Sequence, residues 1–205
     1  MSYCNWACGE EILTSYHDNE WGVPVREDRV QFEYLMLEAM QSGLSWLTVL
    51  KKREIFRSAF DGFDFERIAQ YDEGDVARIM STEGVIRSER KIRAVINNAQ
   101  RFIEIRREFG SFSKYIWSYT DGKTLLYEGH ENGYIPNSNG LSDAIAKDLK
   151  SRGFKYIGSV TVYSHLQASG IINDHSKECS RYTYINAHFD TFTRAPDNEH
   201  NIIKY

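Results

Sequence analysis

Leu149-Lys-Ser-Arg-Gly-Phe-Lys-Tyr-Ile-Gly158 closes one helix and opens the next. Gly153 and Gly158 lie five residues apart, with Phe154 after the first and Ile157 before the second, as expected of a corner packed between helices. Backbone N–H groups at such a turn, aligned with the positive end of the second helix, suit one phosphate oxygen. Arg152 and Lys155 would add attraction that is independent of base sequence. The Gly-Lys-Ser/Thr ending of a nucleotide-hydrolase phosphate loop is missing, and a plain helix–turn–helix corner fits the stretch as well.

Working outward, Ser142 is positioned to cap the helix that runs to Ser151, and Gly158 or Ser159 opens another to about Gln167. Residues 122 to 140, with four glycines and Pro136, read as a loop holding at most one short irregular strand. Before it, Ser111 to Tyr119 is a short aromatic helix. Ser88 to Phe109 is the longest helical segment, with Ile92, Val95, Ile96, Ala99, Phe102 and Ile103 on a 3.6-residue period. Short helices fit Asp64 to Gln70 and Asp75 to Ser81. Ser45 to Phe60 reads as one helix with Trp46, Val49, Leu50 and Phe56 inward and Lys51, Lys52, Arg53 and Arg57 mostly outward. Asp28 can cap a helix that ends near Gly43, with Phe32, Leu35, Met36 and Ala39 as its apolar stripe. The first 27 residues are aromatic, polar and irregular. No strand alternates cleanly and no repeat is present. The expectation is an all-α fold, one domain over 1–205, in two helical lobes whose boundary composition does not place.

The composition is 41% apolar and 14% aromatic, which excludes a long disordered chain. The net charge is −4, but residues 1 to 50 carry eight acidic and two basic residues. Basic clusters follow at Lys51–Arg57, Arg87–Arg93 and Lys147–Lys155, the pattern of ordinary solvated helix faces or of a local basic surface. No stretch approaches 18 consecutive apolar residues, and no secretory signal is visible, so a cytoplasmic protein without membrane contact is expected. Cys4, Cys8 and Cys179 are too few for a disulfide framework and are available for packing or for metal.

Two constellations carry chemistry. Cys4, His17, His175 and Cys179 supply two thiolates and two imidazoles, the donor set of a closed structural zinc site. His175 and Cys179, four apart, would share one helical turn, and the site would tie the amino terminus to the carboxy-terminal region. These four residues do not supply the tight Cys-x2-4-Cys pair of most structural zinc sites, Cys8, four from Cys4, is an equally near candidate, and His17 adjoins Asp18, which can accept its ring proton. His130, His165, His188 and His200 show no partner pattern. Separately, Trp6, Tyr16, Trp21 and Trp46 bracket Glu38, which borders the apolar stripe of its helix. A carboxylate among indole and phenol faces suits a flat cationic or hydrogen-bond-donating ring. An exposed acid flanking an aromatic core fits the same pattern.

Tyr16-His-Asp-Asn-Glu-Trp-Gly-Val-Pro24, Leu37-Glu-Ala-Met-Gln-Ser-Gly-Leu-Ser-Trp46 and Lys51-Lys-Arg-Glu54 resemble the 3-methyladenine DNA glycosylase I family. Gly84-Val-Ile-Arg87, Lys150 to Gly158, Gln167-Ala-Ser-Gly170 and Asn173-Asp-His175 with Cys179 continue the resemblance in unbroken order over residues 1 to 180. It implies a helix–hairpin–helix fold with structural zinc on Cys4, His17, His175 and Cys179. It implies Glu38 as the base-recognition carboxylate, Trp46 as the stacking aromatic, and Tyr16, Trp6 and Trp21 around them. Gly153 to Gly158 match the hairpin, and Gly43-Leu44 fall where the family presses into the gap left by the extruded nucleotide. Ser42 stands where alanine is usual. The family lacks the standard catalytic aspartate of this superfamily, and Asp174, near where that residue would come, is assigned to structure. The implied activity is monofunctional hydrolysis of the N-glycosidic bond of 3-methyladenine in damaged double-stranded DNA by a monomer. A helix–hairpin–helix DNA-binding module and a zinc-stabilised interaction protein fit the separate motifs but leave their joint order unexplained.

Overall fold

The structure, a computed structural model, describes residues 4–41 and 43–196; Ser42 and the tail that includes His200 lie outside the described residues. The fold is largely helical. Helices α1 (Glu11–Asn19) and α2 (Asp28–Gln41) are followed by α3 (Trp46–Lys51), α4 (Arg53–Ala59), α5 (Phe65–Ile68) and α6 (Glu73–Ser81). Then come α7 (Glu89–Phe109), α8 (Phe112–Ser118), α9 (Gly140–Ser151), α10 (Ser159–Ala168) and α11 (Ser180–His188). Two short strands, β1 (Thr124–Tyr127) and β2 (Thr191–Arg194), pair in parallel with Leu125 opposite Phe192.

Several sequence expectations change in detail. The segment from Ser45 to Phe60 is two helices, broken at Lys52. The irregular first 27 residues contain α1, whose polar exterior hides its period. Asp28 does not cap its own helix: its carboxylate accepts from the backbone N–H groups of Phe112 and Ser113 and from Arg106, so it caps α8 instead. Asn139, not Ser142, is the N-cap of α9, with Ser142 as the reciprocal partner of a capping box.

The centre of the molecule is α2. All ten residues from Gln31 to Met40 are buried, so this helix has no solvent face over that stretch. Phe32, Leu35 and Met36 join Phe102 of α7 and Leu166 of α10 in one large core, in which the Phe32 ring meets Phe102 edge-on at 5.1 Å. Helices α9 and α10 form the hairpin anticipated from its glycines. Phe154 and Ile157 are its buried anchors. Asn98 of α7, fully buried, accepts from the Lys155 backbone N–H at 2.8 Å and donates to the Lys155 carbonyl at 2.9 Å. Asn97 donates to the Gly153 carbonyl at 2.9 Å. Two neighbouring carboxamides thus fix the hairpin backbone to the longest helix.

Gly170 closes α10 in the left-handed region at φ +71°, and a Cβ there would stand 2.5 Å from the backbone of Val23 and Pro24. Only glycine lets the 22–25 segment lie against the end of α10, where Val25 N–H donates to the Ser169 carbonyl.

His165 is a departure from good packing chemistry. It is 1% exposed, burial pushes it down to about 3, and neither ring nitrogen has a hydrogen-bond partner among the described residues. A buried polar group without a partner costs about 1–3 kcal/mol. His165→Phe, similar in shape, is therefore expected to raise the thermal midpoint by several degrees, corresponding to about 1–2 kcal/mol. Calorimetry of the two proteins checks this; an unchanged or lowered midpoint refutes it.

Candidate functional site

The four metal-donor residues predicted from sequence converge. The ligand atoms of Cys4, His17, His175 and Cys179 all lie within 4.8 Å of one another, and all four residues are buried. Cys4 precedes a single 3-10 turn at Asn5–Ala7, and α1 carries His17. His175 and Cys179 do not share a helical turn as expected. They sit in the loop before α11, closed by the Cys179 N–H to the Ser176 carbonyl, and Cys179 is the N-cap of that helix. Sulfur–nitrogen separations are 3.6 Å for Cys4–His175, 3.5 Å for Cys179–His17 and 3.7 Å for Cys179–His175. The far ring nitrogens are engaged: His17 Nδ1 with Asp18 at 2.8 Å, and His175 Nε2 with the Trp21 carbonyl at 3.1 Å. Each imidazole is thereby oriented with its other nitrogen inward. Gly22, at φ +79°, leaves room for this, since a Cβ would meet His175 Nε2 at 2.7 Å. Burial pushes the Cys4 thiol up to about 11 and drives His175 down to about 3, so the lone cluster is uncharged at those two positions near neutral pH. Cys8, the rival candidate, is exposed and absent from the cluster.

A chain of aromatic rings leads from this cluster towards Glu38. Trp21 packs 4.5 Å from His175 and stacks on His17 at 6.1 Å, Trp6 lies 5.0 Å from Trp21 and 6.3 Å from Tyr16, and Tyr16 lies 5.4 Å from Trp46. Trp21 is thus placed against the imidazoles, while Trp6, 39% exposed, stands at the rim. Trp46 begins α3, whose N-cap Ser45 accepts from the Thr48 N–H. Glu38 is 7% exposed and makes no hydrogen bond or ion pair among the described residues. It belongs to the fully buried stretch of α2 rather than to the border of an apolar stripe. Burial pushes its carboxyl up to about 8. Burial, with the charge of Glu38 next, holds the Tyr16 phenol well above its ordinary value. A buried carboxyl near a phenol has the chemistry to accept a flat, electron-poor ring.

One supporting network was missed. Arg53, expected to face outward, is 8% exposed and donates to Glu20 and Glu33 at 2.6 Å each; Arg57 joins Glu33 at 2.9 Å, and the Tyr34 hydroxyl donates to Glu20 at 3.0 Å. Burial alone disfavours the guanidinium charge, but the two carboxylates outweigh it and raise the Arg53 pKa. The signal was in the spacing: Trp46, Val49, Leu50 and Arg53 stand at i, i+3, i+4 and i+7.

Asp174 is fully committed. It accepts from His130, the Tyr163 hydroxyl and Gln167, each at 2.7 Å, and is 2% exposed. His130, without a partner pattern in the sequence, is therefore part of a buried network.

On the surface, Gly43 and Leu44 are exposed just beyond α2, with the Leu44 N–H bonded to the Gln41 carbonyl. Arg152 differs from expectation: its guanidinium is held by Glu108 at 2.6 Å and Asp148 at 2.7 Å. By contrast, Arg87, Arg90, Lys147, Lys150 and Lys155 are exposed and make no ion pair among the described residues. Exposed cations without an ion pair among the described residues thus include the start of α7 and the hairpin region, alongside Arg107, Lys114, Lys123 and Lys177 elsewhere. No described helix is long and apolar enough to cross a membrane.

Comparisons with known proteins agree in one direction. A family described as methyladenine glycosylase matches residues 6–182. DNA-3-methyladenine glycosylase 1 of Escherichia coli strain K12 is 40% identical over 182 residues, covering 89% of this chain and 97% of that protein. A crystal structure of a 3-methyladenine DNA glycosylase I superposes with a TM-score of 0.83 at 44% identity, over 87% of this chain and 98% of that one. The Staphylococcus aureus 3-methyladenine DNA glycosylase I, described in a study of 3-methyladenine recognition, superposes with a TM-score of 0.82 at 37% identity, covering 88% and 96%.

Proposed function

This chain belongs to the methyladenine glycosylase family, and from that premise we propose that it hydrolyses the N-glycosidic bond of 3-methyladenine in alkylated double-stranded DNA, releasing the base without cutting the strand. The observation that carries the reading is Glu38: a buried carboxyl with no partner of its own, beside Tyr16 and in the aromatic cluster that includes Trp46. A group held that way at a cost in solvation is explained by a ligand that supplies what the fold withholds.

The methylated adenine carries a positive charge while attached to the sugar. Once flipped from the stack, at a cost of a few kcal/mol that is least for a damaged base, it enters a slot of low dielectric. Trp46 and Tyr16 receive its faces, Trp6 and Trp21 complete the aromatic wall, and Glu38 accepts from the amino edge. The anionic form of Glu38 favours the cationic lesion over neutral adenine. When the C1′–N bond breaks, its electron pair neutralises the base. The oxocarbenium sugar left behind is within the field of Glu38, and water captures it. No lysine acts as nucleophile, so the strand stays intact. The hairpin from Gly153 to Gly158, with Lys155, holds backbone phosphates, and Gly43-Leu44 fill the space the base leaves. Arg152 contributes by fixing the hairpin to Glu108 and Asp148 rather than by touching phosphate.

Cys4, His17, His175 and Cys179 hold a structural zinc ion in this proposal. Tetrahedral zinc with ordinary Zn–S and Zn–N bonds sets sulfur and nitrogen about 3.5 Å apart, and the three separations found are 3.5, 3.6 and 3.7 Å. Four protein donors leave no open position for water, so the ion supplies rigidity and no chemistry. The whole chain acts as one domain and as a monomer.

The test is chromatographic. Methylated duplex DNA incubated with the protein should release free 3-methyladenine and leave alkali-labile abasic sites in unbroken strands. Salt-dependent binding to duplex without any base release would instead assign the chain to a DNA-binding module.

A further inference from the structure

A cleft of about 440 Å³ opens between the segment that leads into α2 and the helix α8, and the proposed reaction does not use it. Arg26, Ser111, Ser113, Lys114, Trp117 and Gly122 line it, and among the described residues no carboxylate does. The Arg26 guanidinium lies 3.5 Å from the centre of the Trp117 ring and donates to the Gly122 carbonyl at 2.6 Å. Trp117 is fixed in turn, its indole N–H donating to the Val25 carbonyl at 2.8 Å. Arg53, Arg106 and Arg152 also rest against aromatic rings, and each of those is held by two carboxylates. Arg26 has no such partner among the described residues, and desolvation lowers its pKa with no anion to offset it. The other donors are also uncommitted. Ser113 is 7% exposed and its hydroxyl makes no hydrogen bond among the described residues. Ser111 Oγ accepts from the Lys114 N–H at 2.9 Å, which leaves its own proton to give. The Lys114 side chain is exposed and makes no ion pair among the described residues. The backbone at the start of α8 is by contrast taken: Asp28 accepts from the Phe112 and Ser113 N–H groups and is itself paired with Arg106.

We propose that this cleft binds a phosphate group, with Arg26 and Lys114 supplying the charge and the Ser111 and Ser113 hydroxyls the neutral donors. A guanidinium fork suits the paired oxygens of either a carboxylate or a phosphate. Two cations and two further hydroxyls are more than the single charge and two oxygens of a carboxylate can use. A phosphomonoester, with a charge of about −1.5 to −2 and three free oxygens, engages all four. The backbone of the lesion duplex is a poor match. Its phosphates are diesters with one charge each, and the cleft lies at the opposite end of α2 from Leu44, about 20 Å along the helix. It also adjoins the end of α7 remote from Arg90. The ligand is therefore inorganic phosphate or the phosphomonoester of a small molecule, bound away from the DNA surface.

The test follows proton–nitrogen correlation spectra of the full chain during titration with inorganic phosphate and, separately, with glycerol 3-phosphate, against sodium chloride at matched ionic strength. Phosphate should shift the Trp117 indole N–H and the amides of residues 111–114 until they saturate. Arg26→Gln and Lys114→Gln should each weaken that binding about tenfold, and Ser113→Ala about threefold. Arg26 also holds Gly122, so Lys114→Gln, which breaks no ion pair of the fold, is the decisive variant; its thermal midpoint without phosphate should equal that of wild type. Equal or tighter binding of glycerol 3-phosphate assigns the site to a phosphomonoester, and binding of inorganic phosphate alone assigns it to the free ion. Shifts confined to the hairpin, the same shifts in chloride, or phosphate binding that survives Lys114→Gln overturn the proposal. Base release from methylated DNA should be unchanged in Lys114→Gln, and a wild type that releases no base sinks the glycosylase reading while leaving the cleft to be judged by its own titration.

Discussion

Glu38→Gln should lower excision of 3-methyladenine by about a hundredfold or more while leaving affinity for an abasic duplex nearly unchanged. Glutamine keeps the shape and one acceptor but cannot carry the charge that distinguishes a cationic lesion from adenine. The loss should appear in kcat/KM, measured as base release under single-turnover and steady-state conditions. Because burial pushes Glu38 up to about 8, the free enzyme holds it largely as the neutral acid below that pH. If the anion is the active form, wild-type kcat/KM rises with pH towards about 8 and levels above it, whereas the glutamine variant is flat. The stability effect has a fixed sign. The folded value lies above the ordinary 4.5, so the unfolded chain ionises first and wild type loses stability as pH rises from that value to the folded one. Glu38→Gln should then be more stable than wild type at pH 9 and not at pH 4. A variant that excises normally would remove Glu38 from the centre of the reaction.

Removal of the metal should have the largest effect on the fold. One equivalent of zinc per chain is expected by mass spectrometry of the purified protein under native conditions. Stripping it with a strong chelator, or replacing Cys179 with serine, should lower the thermal midpoint on the order of 10 °C. Without a cation, two cysteines and two imidazoles face one another in a buried space, held to the fold by the contacts of His17 with Asp18 and of His175 with the Trp21 carbonyl. The aromatic chain from His175 through Trp21 and Trp6 to Tyr16 rests on that cluster. Excision should therefore fall along with the midpoint, and zinc added back should restore both. A protein that melts at the same temperature with and without chelator, and carries no metal, would refute the site.

Much of this was readable in the sequence, for physical reasons that differ by region. The stripe of α7 is amphipathic, and its ends came within a residue of those found. Pattern says less about α2, where burial on every side erases the polar face that would mark Glu38 as inside. Helix α1 and helix α11 were not anticipated, because only one or two residues of each are buried and the rest of their surface is polar. The strand β1 has all four residues buried, so it never alternates. Asp28 does not cap the helix it opens, because its carboxylate is taken by N–H groups more than eighty residues away, a distance local pattern cannot register. The donor set Cys4, His17, His175 and Cys179 was legible as chemistry, yet the loop geometry at His175 was not, because four-residue spacing serves a loop as well as a helical turn.

The four donor residues also set an order of events during synthesis. Cys4 and His17 leave the ribosome first, and His175 and Cys179 follow after more than 150 further residues. At ordinary elongation rates that interval is roughly ten to thirty seconds. For all of it the nascent chain holds only two of the four donors of the proposed site. On the zinc assignment proposed above, four-coordinate uptake therefore waits for the synthesis of His175 and Cys179.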